Sequence, residues 1–451
     1  MNVRKGILFL LVSFTLVTVA KAQDTQGPEQ ISLPEAIDIA LENSNQLKIA
    51  ENDVQLAEYM VTNEKADYFP SVNANMSGNR NIGRTFDQNT GEITEETNNS
   101  FRSSISANLP IFSGLENLHS LRSSQYDKRS GEENLQRVRE NIIFNTANNY
   151  LQFILDQHFL EIDRENLNAS RNTLEQVQAQ VEVGARPQVD LFNQEAIVAN
   201  NELAVVNSEN AVQSSRLQLI QTLQIDPRKD YEFSTPEIQD QNVTAADYNL
   251  DRLVAVALEN RSDLKRETLN IQSLEHQMKS TRGSLYPTLS LTGSLSSSYS
   301  ELRPFDFQDQ FFDQNIYRSF GLSLSIPIFA NLDRRASVQT QQINYKNAQL
   351  SLQESELQVV QEVNQAYNDY TSYFKQLQSS EKALAAAERS YLTQKERYEV
   401  GAGTLIELSD ANAQYVEAQV NRAQSLFRVI FQQKLLDYYI GRLDENISFD
   451  L

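Results

Sequence analysis

Cysteine is absent from the 451 residues, and histidine occurs only three times. The missing thiols exclude disulfides, thiolate metal sites and a lipid-modified N-terminal cysteine. His119, His158 and His276 stand isolated, without ligand-like spacing, so no metal site is expected. Positive charge is also scarce: 39 Lys and Arg against 60 Asp and Glu leave a formal charge of −21. Such a chain has no electrostatic reason to bind nucleic acid, and its surface favours cations or simply confers solubility. Beyond the N-terminal segment no apolar run of about 18 residues exists, so no transmembrane helix is expected. No Ser/His/Asp grouping, glycine-rich phosphate loop or pair of catalytic carboxylates stands out, so neither an enzyme nor a cofactor is expected.

What is present begins with a leader. Arg4 and Lys5 precede the apolar stretch Gly6–Ala20, and Ala20-Lys21-Ala22 is a small-x-small cleavage site. Residues 1–22 read as a signal peptide, with Gln23 starting the mature chain. Losing its three bases would take the formal charge from −21 to −24.

The mature chain repeats itself. Leu33-Pro-Glu-Ala-Ile-Asp-Ile-Ala-Leu-Glu-Asn43 returns as Leu250-Asp-Arg-Leu-Val-Ala-Val-Ala-Leu-Glu-Asn260, an offset of 217. The same offset relates Phe69-Pro70 to Tyr286-Pro287, Pro110-Ile111-Phe112 to Pro327-Ile328-Phe329, and Val183-Gly184-Ala185 to Val400-Gly401-Ala402. One offset without a gap indicates duplication. The expected organisation is a first repeat over 23–228, a polar linker over 229–249, a second repeat over 250–445 and a tail over 446–451. The linker is expected near the middle of the assembled molecule.

Each repeat reads as helix, hairpin, helix, tip and helix. Ser32-Leu-Pro-Glu35 is a capping box that opens a short helix. Period-2 alternation predicts strands at about 69–82, 99–112, 286–300 and 316–329, with polar loops centred on 83–98 and 301–315. Heptads predict an antiparallel coiled coil between Leu160, Leu167, Leu174 and Val181 on one side of the tip and Val189, Ala196, Leu203 and Leu217 on the other. Phe192, Ala199, Val206 and Ile220 complete that expected seam.

Alternation on all four strands gives one apolar face and one face of Ser, Thr, Asn and Gly. A half-buried sheet packed on helices is the ordinary explanation. The secretion signal, the strand length and the hydroxyl-rich polar face point instead to a membrane barrel with a wet lumen. Four strands cannot close a barrel, and lipid tolerates no open edge. The barrel must be shared between copies, and only a trimer leaves room for a channel. The run from about Ser113 to Glu182 adds a helix of roughly 105 Å.

These residues resemble the TolC family of outer-membrane efflux proteins. The resemblance rests on the Leu-x-x-Ala-(Ile/Val)-x-x-Ala-Leu-x-Asn segments at 33 and 250, the aromatic-Pro strand starts at 69 and 286, the Pro-Ile-Phe strand ends, and the Val-Gly-Ala tips within 183–187 and 400–404. It spans nearly all of the mature chain. It implies a mostly α-helical homotrimer with a 12-stranded barrel in the outer membrane of a Gram-negative bacterium, continued by a 12-helix periplasmic tunnel. It further implies contact with outer-membrane lipid, a periplasmic membrane-fusion adaptor and an inner-membrane pump, in an efflux or type I secretion system.

The resemblance also places a periplasmic gate at Asp410, Glu407, Tyr398 and Asp190, and adaptor contacts at Val183, Gly184, Ala185, Val400, Gly401 and Ala402. Gly403 and Val189 depart from the family's Arg and Thr, and Arg186 is a possible substitute. Simpler readings stand beside these. Glu407 completes a capping box with Thr404, Asp190 suits a helix N-terminus, Tyr398 continues a heptad from Leu384 and Tyr391, and Gly184 and Gly401 end helices. The competing function is a periplasmic coiled-coil adaptor or structural protein without a pore, which would need no lipid-facing alternation.

Overall fold

A computed structural model of the chain describes residues 29–86, 91–234, 248–329 and 332–442. The expected leader, residues 235–247 of the linker and the tail over 446–451 lie outside the described residues.

The order is β1 (Glu29–Ile31), α1 (Leu33–Asn43), α2 (Asn45–Ala66), β2 (Ser71–Phe86), β3 (Ile93–Phe112), α3 (Glu116–Glu182), α4 (Gln188–Leu223) and β4 (Tyr231–Phe233), followed by α5 (Leu250–Asn260), α6 (Ser262–Gly283), β5 (Thr288–Ser300), a helical turn α7 (Phe307–Asp309) that runs into a π turn, β6 (Tyr317–Ser325), α8 (Asp333–Glu399) and α9 (Leu405–Tyr439). The starts of α1, α2, β2, α3 and α4 recur 217 residues later in α5, α6, β5, α8 and α9. Even the left-handed residues repeat at that interval: Leu115 and Leu332, Gly184 and Gly401, Gln224 and Gly441.

α3 and α8 contain 67 residues each, so each is about 100 Å long at 1.5 Å per residue. In the half of the molecule nearer the strands, α2 packs on α3, α3 on α6 and α6 on α8. In the other half the row is α4, α3, α9 and α8. The capping box on Ser32 and Glu35 forms as the sequence predicts, and Leu33, Ala36, Ile37 and Ala40 of α1 are buried.

Where the rows change over, α1 joins the largest core cluster, with Ile143, Tyr150, Leu219 and Phe427. The expected polar linker contributes here. Tyr231–Phe233 forms a strand parallel to Glu29–Ile31, with both aromatics buried. Tyr150 closes this small sheet, its hydroxyl 2.9 Å from the Ile31 carbonyl and 2.7 Å from that of Ser234. A three-residue alternation is too short to register as a strand in sequence.

The coiled-coil seam also differs from expectation on α4. Of the expected positions Ile220 is buried, whereas Val189, Phe192, Ala196, Ala199, Leu203, Val206 and Leu217 are exposed; Val198, Val205 and Leu219 are buried instead. α4 carries two apolar stripes, and heptad spacing alone does not say which one meets α3. On α3 the expected positions hold: Leu167 is buried, and Leu160 and Leu174 pack against the same cluster.

Candidate functional site: a bare sheet and a clasped tip

The four long strands form one antiparallel sheet in the order β2-β3-β5-β6. The hairpin β2-β3 runs further than the sequence suggests, to a Phe86–Ile93 rung, because an aromatic faces a β-branched residue there. β6 ends earlier, at Ser325, because Pro327 cannot donate to a ladder.

Register places the apolar stripes on one side, interrupted by the Ser103–Ser297 rung and by Arg318 opposite Leu295. Val72, Ala107, Gly293 and Phe320 form one continuous rung, and Leu109, Leu291 and Leu322 another. The intervening rungs are largely polar: Asn73, Ser106, Ser294 and Ser319, then Asn75, Ser104 and Ser296, a rung that ends at Tyr317. Ser294 and Ser319 share a 2.7 Å hydrogen bond.

Among the described residues no long helix packs across the apolar side; only the helical turns between β5 and β6 reach its upper end. Phe320 is 87% exposed and Leu322 68% exposed. A contiguous apolar surface of that kind is built for another surface or for lipid. The ordinary explanation, a sheet resting on helices, therefore does not describe this chain. No described helix is long and apolar enough to cross a membrane.

At the far end of the helices are the two tips. α3 ends in a Schellman turn: Ala185 N–H donates to the Gln180 carbonyl at 2.8 Å, and Gly184 N–H to that of Val181 at 2.9 Å. The α8 tip repeats it with Ala402 to Arg397 at 2.7 Å and Gly401 to Tyr398 at 3.1 Å. Gly184 and Gly401 hold φ values of 74° and 76°, the left-handed conformation this turn requires. Val183 and Val400 are exposed at the apices, and Ala185 and Ala402 beside them are exposed too.

Tyr398 is only 4% exposed, packed with Val177, Leu405 and Leu408. The Arg186 guanidinium lies 4.3 Å from its ring centroid. Arg186 also donates to Gln180 Oε1 at 2.6 Å and pairs with Asp190 at 3.5 Å. One arginine of the first tip thus gathers Tyr398 and Asp190, two of the four expected gate residues. Burial raises the Tyr398 pKa, Arg186 opposes the rise and Asp190 adds to it. Its hydroxyl has no hydrogen-bond partner among the described residues.

Glu407 and Asp410 are not part of this clasp; both are exposed on α9, while Leu405, Leu408 and Ala411 turn inward. Glu407 caps its own helix: it accepts from Thr404 N–H at 3.0 Å, and Thr404 accepts from Glu407 N–H at 3.2 Å. The backbone hydrogen bond from Thr404 holds its carboxyl below the usual range. At Gly403 a β-carbon would lie 3.3 Å from Arg397 Cβ, so the position is crowded.

One pair escaped sequence reasoning. His119 and His276 are not isolated: their Nδ1 atoms are 3.0 Å apart across the α3–α6 contact. Tyr126 stacks on His276, with ring centroids 5.5 Å apart. Separation by 157 residues hides such a pair from any spacing rule. Among the described residues no group of three or more potential ligands assembles.

A two-faced sheet with an exposed apolar side, carried on long paired helices with clasped tips, has the build of a protein that lies partly in lipid. The chain belongs to the outer membrane efflux protein family, whose sequence profile matches residues 36–223 and 253–430. It is 25% identical over 324 residues to outer membrane protein TolC of Salmonella enteritidis, covering 69% of this chain and 63% of that protein. It is 24% identical over 406 residues to the pyoverdine export outer membrane protein OpmQ of Pseudomonas putida, covering 87% of this chain and 82% of the relative. Its fold matches the Campylobacter jejuni CmeC outer membrane channel with a TM-score of 0.79 at 17% identity, over 99% of this chain and 95% of that one.

Proposed function

We propose that three copies close into a 12-stranded barrel and a 12-helix tunnel, forming the outer-membrane channel of a tripartite efflux or type I secretion system. The channel conducts passively from an inner-membrane pump and a membrane-fusion adaptor to the exterior. The observation that supports this most directly is the sheet: four strands whose apolar residues share one uncovered face and whose edges, β2 and β6, are both open. The helices support the same closure. The row ends α2 and α8 present uncovered stripes, Ile49, Leu56 and Met60 on one and Ile343, Leu350 and Leu357 on the other. Unlike ends meeting head to tail, α2 of one copy against α8 of the next, close a ring when the rotation between copies permits. A periplasmic adaptor without a pore would leave the apolar sheet face unexplained.

In this reading Asp410, Glu407, Tyr398 and Asp190 surround the closed periplasmic mouth. Val183, Gly184, Ala185, Val400, Gly401 and Ala402 meet the adaptor. Ile49→Cys combined with Leu350→Cys tests the closure in the cysteine-free chain, because the 217-residue offset maps the Arg266–Asn134 contact of α6 with α3 onto that level of α2 and α8. Oxidation is expected to yield covalent trimers in the outer-membrane fraction. Monomers alone, or a wholly soluble protein, would reject the channel.

A further inference from the structure

The loop between β5 and β6 does not project freely. Phe307 and Phe311 fold back onto Phe101, with ring centroids 6.0 and 5.4 Å away, and Phe307 lies 5.2 Å from Tyr299. Phe312 extends the cluster, 5.1 Å from Phe311, and is 65% exposed. Phe101 and Tyr299 face each other on the rung above Ile105 and Leu295 that shares their side, once Ser103 and Ser297 are passed. The loop therefore covers the upper end of the apolar face.

Its polar groups rebuild a missing strand. β6 leaves β5 after the Ser296–Tyr317 rung, so Ser297–Ser300 have no strand on that side. Gln310, fully buried, takes its place. Ser300 N–H donates to Gln310 Oε1 at 3.1 Å, and Gln310 Nε2 donates to the carbonyls of Ser300 at 3.1 Å and Phe305 at 2.6 Å. Asn315 Nδ2 donates to the Ser298 carbonyl at 2.6 Å, and the Ser297 hydroxyl to that of Phe311 at 2.5 Å. Side-chain amides thus satisfy backbone groups that water would otherwise serve.

Height matters as well. Ten residue steps separate Leu289 from Tyr299; at about 3.3 Å per residue and a tilt of about 40°, the rise is roughly 25 Å, the height of an outer-membrane apolar band. The aromatic cluster sits at the far boundary of that band. Asp306, Asp309 and Asp313, all exposed in the same loop, bar it from going deeper.

Resting on the membrane-sheet reading above, we propose that residues 301–315 form an aromatic flap seated in the outer leaflet, with Phe305 and Phe312 at the boundary between acyl chains and headgroups and Gln310 standing in for the absent strand. The occupant of its exposed aromatic surface is lipid.

The chain contains no tryptophan, so Phe312→Trp and Leu322→Trp each create a single reporter. Both full-length variants are reconstituted in phospholipid vesicles carrying bromine at shallow or deep acyl positions. The Phe312→Trp emission is expected to be blue-shifted, quenched more by shallow than by deep bromines, and several-fold less sensitive to aqueous iodide than free tryptophan. Adding Gln310→Leu is expected to release the reporter to iodide. If Leu322→Trp is quenched by deep bromines while Phe312→Trp answers only to iodide, the flap is overturned and the membrane sheet stands. Insensitivity of Phe312→Trp to both quenchers would instead place it against another copy, which also overturns the proposal. If bromines quench neither reporter, the membrane-sheet reading itself fails.

Discussion

The guanidinium of Arg186 lies over the ring of Tyr398, 4.3 Å from its centroid, so the first tip holds the last turn of α8. Two hairpins that share no backbone are thereby clasped within one chain. Gly403 brings no side chain to the tyrosine, and the cation reaches it from the opposite hairpin.

Arg186→Ala removes a partly buried cation–π contact worth about 1–2 kcal/mol. On the proposed gate it is expected to raise the resting open probability roughly 5- to 30-fold in planar bilayers, since 1.4 kcal/mol is about tenfold. Unchanged gating would make the clasp a local packing feature.

Asp410→Ala is expected to weaken cation preference and block by trivalent cations, because three symmetric carboxylates would crowd one constriction. Glu407→Ala is expected to act chiefly by fraying the first turn of α9, where its carboxylate caps Thr404 N–H. Selectivity that survives in the double variant would place the constriction elsewhere.

The His119–His276 hydrogen bond needs one Nδ1–H and one bare Nδ1. Burial lowers both pKa values from 6.5; Lys279 and Arg122 add to this at both rings, the charge of His119 further lowers that of His276, and Glu275 opposes the shifts. A folded-state pKa below the unfolded one means that the contribution is intact above pH 6.5 and is lost as pH falls through the depressed values. Amide protection factors along the start of α3, which correct for the intrinsic pH dependence of exchange, should therefore fall on acidification. His276→Gln should flatten that dependence, and an identical pH profile in the variant would dismiss the pair as its source.

Gly184→Ala and Gly401→Ala should each cost about 1–2 kcal/mol at the tips, since an L-residue is strained at positive φ. A β-carbon at either glycine meets nothing within 4 Å, so the penalty is confined to the backbone. Faster amide exchange at Ala185 and Ala402, with the rest of α3 and α8 unaffected, is the expected signature.

The two sheet faces should tolerate charge unequally. Leu322→Arg is expected to destabilise the membrane-inserted protein by about 2–4 kcal/mol, and Ser323→Arg far less. Urea titrations of the protein folded into vesicles measure the difference; equal losses would reverse or erase the assignment of faces.

The strand faces were legible because period-2 alternation fixes which side a residue takes, whatever its partner. Helix starts were legible for a similar local reason: Ser32 with Glu35 and Thr404 with Glu407 form boxes visible as four-residue words. What escaped depends on distance in the chain. Arg186 finds Tyr398, and His119 finds His276, only after the helices are aligned. The uncovered stripe of α4, from Val189 through Phe192 to Leu217, has the same heptad grammar as the buried one. Pattern gives the stripe, and packing alone decides its partner.

The open edges of the sheet also impose an order of events on biogenesis. Along β2 and β6 one row of peptide groups has no strand partner in the chain. In water hydration satisfies these groups at little cost, but in lipid each would cost several kcal/mol. A solitary copy is therefore held on the aqueous side of the bilayer. Joining its neighbours and entering the membrane become a single committed step. On the proposed closure, a copy that has not yet joined its neighbours leaves most of its apolar sheet face in water.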